Sequence, residues 1–141
     1  MKDKTIGNLI DHAKTSIVNY LDEEGYPVSR AMLPPREREG LSIFWFTTNT
    51  SSNKVKCYRK NPQASIYFVD QRFFRGVSLT GTMEVLETAE AKERIWLEGD
   101  TRYYPLGVTD PDYCVLRFTA SKGRYYSNFK SEDFEATGHE D

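Results

Sequence analysis

The chain of 141 residues has only two cysteines and two histidines, and neither pair stands where it could build a site. Cys57 and Cys114 have no second cysteine or histidine at ligand spacing, so each is expected to be a buried, reduced thiol. His12 and His139 lie near opposite ends of the chain, no His/Cys/Asp cluster surrounds either, and no metal is expected. No apolar run approaches the roughly 20 residues of a membrane helix, and the opening MKDKTIGNL lacks the apolar centre of a signal peptide, which points to a cytoplasmic protein without a membrane partner. Charge of one sign is also missing. Lys and Arg number 19 against 21 Asp and Glu, a net of −2, so no overall basic field exists to bind nucleic acid. Glycine-rich nucleotide fingerprints and a Walker motif are absent, and no helical pattern follows each strand, which excludes a doubly wound sheet.

Aromatic residues are what the chain has in supply: nine Tyr, eight Phe and two Trp. The stretch 41–48, LSIFWFTT, is apolar on both pleat faces, with Ile43 and Trp45 on one and Phe44 and Phe46 on the other. Such a strand belongs in a core or an interface, and it is the first ground for expecting a homodimer. A hydroxyl-rich loop follows, and then NKVKCYRK, read as a short helix that Asn61-Pro62 ends. Free N–H groups of the first helical turn, the hydroxyls and Lys54 together make a set that binds phosphate, while the plainer reading is a Ser-capped helix with a solvated basic face.

The rest reads as one domain, residues 1–141. Ile6, Leu9, Ile10 and Ala13 mark an amphipathic helix at about residues 4–14. Strands 16–21 and 26–33 flank the turn DEEG, and Pro34-Pro35 with the charged residues after them should form a mobile loop. Residues 64–70 read as a strand, and 76–87 alternate with Val77, Leu79, Met83 and Val85 inward, Gly81 marking a bend. Thr88 caps a further helix. The irregular stretch 99–112 holds Tyr103, Tyr104 and Leu106, which implies packing, and two strands, 113–119 and 124–129, complete a barrel of about residues 15–130. The acidic tail, about residues 131–141, is expected to fray.

Read in order, GYPVSRAML, FWFTTNTSSNKV, NPQASIYFVD and FRGVSLTGTMEVL resemble the pyridoxamine 5′-phosphate oxidase-like split-barrel family. The later IWLEGDTRYYPLGVTDPDYCVLRFTA is similar to its general-stress-protein branch, whose members are typically homodimers with FMN in clefts between subunits. The resemblance implies a mainly β fold, a six-stranded antiparallel Greek-key split barrel with flanking helices. It places Arg30 at the FMN phosphate or ribityl oxygens, Ala31, Met32 and Leu33 under the ring, and Thr47 and Thr48 at ribityl and ring atoms. Ser52, Asn53 and Lys54 match the segment that grips the phosphate, with Asn53 where the family commonly has arginine. Tyr125 and Tyr126 stand where they could cover the flavin of a second subunit or pack the barrel. The implied function is flavin-dependent oxidation or reduction of a small-molecule redox substrate. True pyridoxamine phosphate oxidation is not expected, since the glutamine and the C-terminal Trp and Arg of the oxidases are missing. The alternatives are a stress-response module that binds flavin without turnover, or the same barrel holding a deazaflavin coenzyme or haem.

Overall fold

The structure is a computed structural model that describes residues 2–136. Helix α1 (Lys2–His12) buries Ile6, Leu9 and Ile10. Strands β1 (Ser16–Leu21) and β2 (Pro27–Met32) form a hairpin whose turn is fixed by the Asp22 carboxylate, which accepts from the N–H groups of Glu24 and Tyr26. Next come β3 (Glu37–Glu39), β4 (Ile43–Asn49), helix α2 (Asn53–Lys60), β5 (Gln63–Asp70) and β6 (Arg75–Leu86). Helix α3 (Ala89–Arg94), a 3-10 turn (Glu98–Arg102), β7 (Tyr113–Ser127) and β8 (Lys130–Glu135) complete the chain. The Thr88 hydroxyl accepts from the Ala91 N–H, as its capping position requires. All strands join one antiparallel sheet in the order β2-β1-β5-β6-β7-β4-β3, with β8 added to β7. This is the mainly β split-barrel architecture expected.

Three expectations need correction. The strand count is eight: the two strands expected at 113–119 and 124–129 are one continuous strand, β7, which leaves the six that the resemblance implies, and β3 and β8 join them. The loop after Pro35 is held, not mobile: β3 pairs with β4, Arg38 binds Asp11 at 2.7 Å, and Arg36 makes a two-toothed pair with Asp100 at 2.9 and 3.0 Å. The tail does not fray where it begins, since β8 pairs with β7 over its length and the Phe134 ring lies where Gly123 leaves room for it. Residues 137–141, including His139, lie outside the described residues.

The long β6–β7 pair bends at a bulge between Thr80 and Gly81, as the in-strand glycine suggested. The inward rows of β1, β4, β5, β6 and β7 form the main core, which contains Val18, Phe44, Phe46, Ile66, Phe68, Leu79, Leu116 and Phe118. A second, smaller core explains the two-faced strand β4. Its outer residue Trp45 joins Tyr113, Val115, Tyr104, Ile95 and Ala91 under α3 and the 97–112 segment, with Arg94 and Arg117 stacked on the indole at 4.2 and 5.2 Å. Both faces of β4 are therefore covered within one chain, and this strand does not by itself call for a dimer.

Arg36 ties that second layer to the barrel, donating also to the Ile95 carbonyl at 2.6 Å. Burial pushes the Asp100 carboxyl up, but the Arg36 hydrogen bonds and charge outweigh it and leave the carboxyl below the ordinary range. Its folded pKa being depressed, Asp100 contributes stability above the unfolded value near ~4, which is lost as pH falls through the lower folded value. Arg36→Ala should cost about 2 kcal/mol by urea unfolding at neutral pH and less at low pH, because an unpaired Asp100 can then be protonated.

Candidate functional site

Helix α2 starts where the Thr/Ser loop turns, and Asn61 ends it with its N–H on the Cys57 carbonyl. Ser52 occupies the N-cap position, yet its hydroxyl caps nothing; Oγ is buried without a hydrogen-bond partner. Of the helix's four basic residues, Lys56 and Lys60 reach Glu23 at 2.9 and 3.4 Å, and Arg59 reaches Glu87 at 2.7 Å. Lys54 differs. It is 8% exposed, and among the described residues it has no hydrogen-bond acceptor and no carboxylate. Burial, and after it the charge of Arg30, push its ammonium below the ordinary lysine pKa. Arg30 comes from β2, where it pairs with Val18; it is exposed, and it too has no acidic partner among the described residues. Two cations, Lys54 buried and Arg30 exposed, thus lie near enough for one charge to act on the other, beside a helix start whose N-cap hydroxyl caps nothing. Burying a charge without a counter-ion is costly, and an anion here would offset that cost.

The other expected residues do not all gather around this pair. Asn53 donates its side-chain amide to Tyr20 Oη at 3.4 Å, so its amide is engaged inside the chain. Ala31 and Met32 belong to β2, with Leu33 next in the chain, and β2 is the free edge of the sheet, its outer backbone N–H and C=O groups unpaired among the described residues. Leu33 and Thr47 meet in a cavity of about 240 Å³ completed by Pro34, Pro35, Arg36 and Phe46. Thr48 points the opposite way from Thr47; it is buried and pairs with Cys114, whose thiol burial pushes up and which lies close enough to Lys54 to feel its charge. Tyr125 and Tyr126 stand at the end of β7 opposite Cys114, the β7 residue that feels the Lys54 charge, and among the described residues no contact joins them to Arg30 or Lys54. Two larger grooves, about 620 and about 640 Å³, touch none of Arg30, Lys54 and Leu33.

Sequence reasoning missed Arg36 as a cavity wall and Tyr104 as the buried ring beside Thr47. The signal for Tyr104 was there, since a tyrosine pair in an irregular stretch implies packing. It stacks on Tyr113 at 4.8 Å, and Trp96 adds a third ring at 5.2 Å from Tyr113. Among the described residues no group of His, Cys, Asp or Glu could hold a metal, and no helix is long and apolar enough to cross a membrane.

The fold is that of an antiparallel, mainly β split barrel with few helices. Residues 3–127 match the family described as pyridoxamine 5′-phosphate oxidase, and the chain belongs to that family. A protein related to general stress protein 26, of the pyridoxinephosphate oxidase family, from Clostridium acetobutylicum is 39% identical, with a TM-score of 0.86 and 96% of each chain covered. General stress protein 26 from Bacillus anthracis shares the fold at 17% identity and a TM-score of 0.77, covering 95% of this chain and 98% of that one. A heme binding protein from Mycobacterium smegmatis also shares it, at 17% identity and a TM-score of 0.74, covering 96% of this chain and 57% of that one. No curated protein matches the chain.

Proposed function

We propose that the chain binds FMN and works in the cytoplasm as a homodimeric flavin-dependent oxidoreductase with the cofactor cleft at the subunit interface. The observation that carries this reading is Lys54, buried, without an acidic partner among the described residues and near enough to Arg30 to feel its charge. The residues fit the cofactor. Lys54, Arg30, the Ser52 hydroxyl and the first N–H groups of α2 form a cluster of donors for a phosphate that carries about two negative charges. The free edge of β2 at Ala31–Met32, continuing to Leu33, offers main-chain donors and acceptors to a polar-rimmed ring, with Thr47 across the cavity. When bound, FMN supplies a ring that accepts or donates a hydride. Leu33, Pro34, Pro35 and Phe46 keep the cavity apolar, and Arg36 is held by Asp100, so the lining contributes position and exclusion of water instead of an acid or base. The test is anaerobic reduction of the FMN-loaded chain by NADPH or NADH, followed by reoxidation with candidate acceptors. Reduction and turnover support an oxidoreductase; tight FMN binding with no reduction supports a flavin-holding module. The absorption spectrum separates FMN from a deazaflavin or haem.

Pyridoxamine 5′-phosphate itself should not bleach the flavin in a single anaerobic turnover, whereas dithionite should. A substrate phosphate needs a second donor cluster. Of the two remaining candidates, Arg124 is bound to Asp133 at 2.7 Å, and Arg102 stacks on Tyr103 at 5.2 Å while donating to the Gly99 carbonyl. Rapid bleaching by the vitamer phosphate would contradict this.

A further inference from the structure

Among the described residues, Arg36 is the only charged one that lines the cavity of about 240 Å³; the others are Leu33, Pro34, Pro35, Phe46 and Thr47. Its charge is cancelled from behind. The buried Asp100 carboxylate accepts from both terminal nitrogens of the guanidinium, at 2.9 and 3.0 Å. Asp100 is itself fixed by the turn that carries it. Its Oδ2 also accepts the Leu97 N–H at 2.9 Å, and its carbonyl accepts from the N–H groups of Tyr103 and Tyr104 at 2.9 and 3.0 Å. The carboxylate therefore cannot swing away, and toward the cavity the two groups act as a neutral pair. Glu98 and Arg102, on the same turn, add one charge of each sign, and the Arg102 guanidinium lies over the Tyr103 ring at 5.2 Å.

The pair still has hydrogens to give. Of the five N–H groups of a guanidinium, Asp100 takes two and the Ile95 carbonyl one, so two of Arg36's remain among the described residues. A donor without net charge suits a carbonyl oxygen. An anion gains little from it, because the attraction of Arg36 is offset by the repulsion of Asp100 a few ångströms behind. Apolar side chains gather around the same point. Leu33 lines the cavity and is 53% exposed; Leu97, whose N–H shares Asp100 Oδ2 with Arg36, is 55% exposed, and Tyr103 is 44% exposed. Water gives such side chains nothing, whereas a flat apolar ligand would cover them. A flavin ring held between Leu33 and Thr47 fills so small a cavity, so a second ligand has to lie on the exposed side of that ring.

We propose, resting on the FMN reading above, that Asp100 sets the specificity of this site. By masking Arg36 it selects, as the redox substrate, a flat uncharged ring that bears carbonyl oxygens, and it turns away carboxylates, sulfonates and phosphates. Asp100 acts through Arg36 and is a positioning residue.

The test is equilibrium dialysis of the oxidised, FMN-loaded protein against two probes that share one ring system, naphthoquinone and its ring sulfonate. The wild-type protein should bind the uncharged probe about tenfold or more tightly than the sulfonate. Asp100→Asn bares the Arg36 charge and should bind the sulfonate about tenfold more tightly than the wild type does. Arg36→Gln/Asp100→Asn has neither charge and should return to the wild-type preference. The readout is the ratio of the two affinities, since a loosened fold would weaken both probes alike. Equal affinities in the wild type, no binding of either probe, an unchanged ratio in Asp100→Asn, or a sulfonate gain that persists in the double variant overturns this inference and leaves the FMN reading standing. The wild-type comparison needs no variant, so it decides even where Asp100→Asn folds poorly. A wild-type chain that takes up no FMN removes the reading of the preceding section as well.

Discussion

Lys54→Ala should raise the FMN dissociation constant about ten- to a hundredfold and leave riboflavin, which lacks the phosphate, almost unchanged. One charge-assisted contact is worth roughly 1.5 to 3 kcal/mol, and Arg30 with the helix N–H groups remains to hold a weakened complex. The pH dependence should follow the same residue. Burial and Arg30 hold the Lys54 pKa below that of a free lysine, and only the protonated amine attracts the phosphate. FMN affinity should therefore fall as pH rises, starting below the range in which an exposed lysine titrates, and Lys54→Ala should lose that fall. A buried cation without a partner also burdens the cofactor-free fold, so Lys54→Met, which keeps the chain's length, should leave apo stability equal or raise it by about 1 kcal/mol. Equal weakening of FMN and riboflavin, or a less stable apo protein, would assign Lys54 a structural role.

Gly81→Ala should lower stability by about 3 kcal/mol or more, near 10 °C in thermal midpoint, with no ligand involved. A Cβ built there would lie 1.9 Å from the Thr119 carbonyl oxygen and 2.9 Å from the Ala120 Cα. Both are backbone atoms of β7, and Ala120 also donates its N–H to the Ser42 carbonyl at 2.7 Å, so the strand cannot yield without losing pairing on both sides. Gly99→Ala is the control, since its nearest contact is the flexible Arg102 guanidinium at 3.5 Å, and its midpoint should hardly move. Similar midpoints for the two variants would show that the bulge is not what fixes the β6–β7 crossing.

Local pattern made much of this fold legible. Alternation placed Val77, Leu79 and Met83 inward, Gly81 marked the bulge, and Asn61-Pro62 ended α2. What pattern could not show was pairing between distant segments. The charged run after Pro35 looked like a loose loop because its anchors, Asp11 and Asp100, lie far away in sequence. The start of the tail looked disordered because its docking residue, Phe134, depends on the space above Gly123. The apolar character of both faces of β4 was read correctly, but its cover comes from α3 and the 97–112 segment of the same chain. Residue types and order singled out Lys54 and Ser52 as candidates, and only the structure separated Lys54, buried and without an acidic partner among the described residues, from Lys56, Arg59 and Lys60. Tyr125 and Tyr126 could not be placed at a cleft by sequence, and they stand at the end of β7 opposite Cys114, the β7 residue near Lys54.

The most direct measurement of the central claim is a calorimetric titration of the wild-type protein with FMN and, separately, with riboflavin, repeated with added salt. The account predicts one FMN per chain, riboflavin bound at least tenfold more weakly, and a gap that narrows as salt screens the phosphate contact. Equal affinities for the two flavins, or no binding of either, would contradict it.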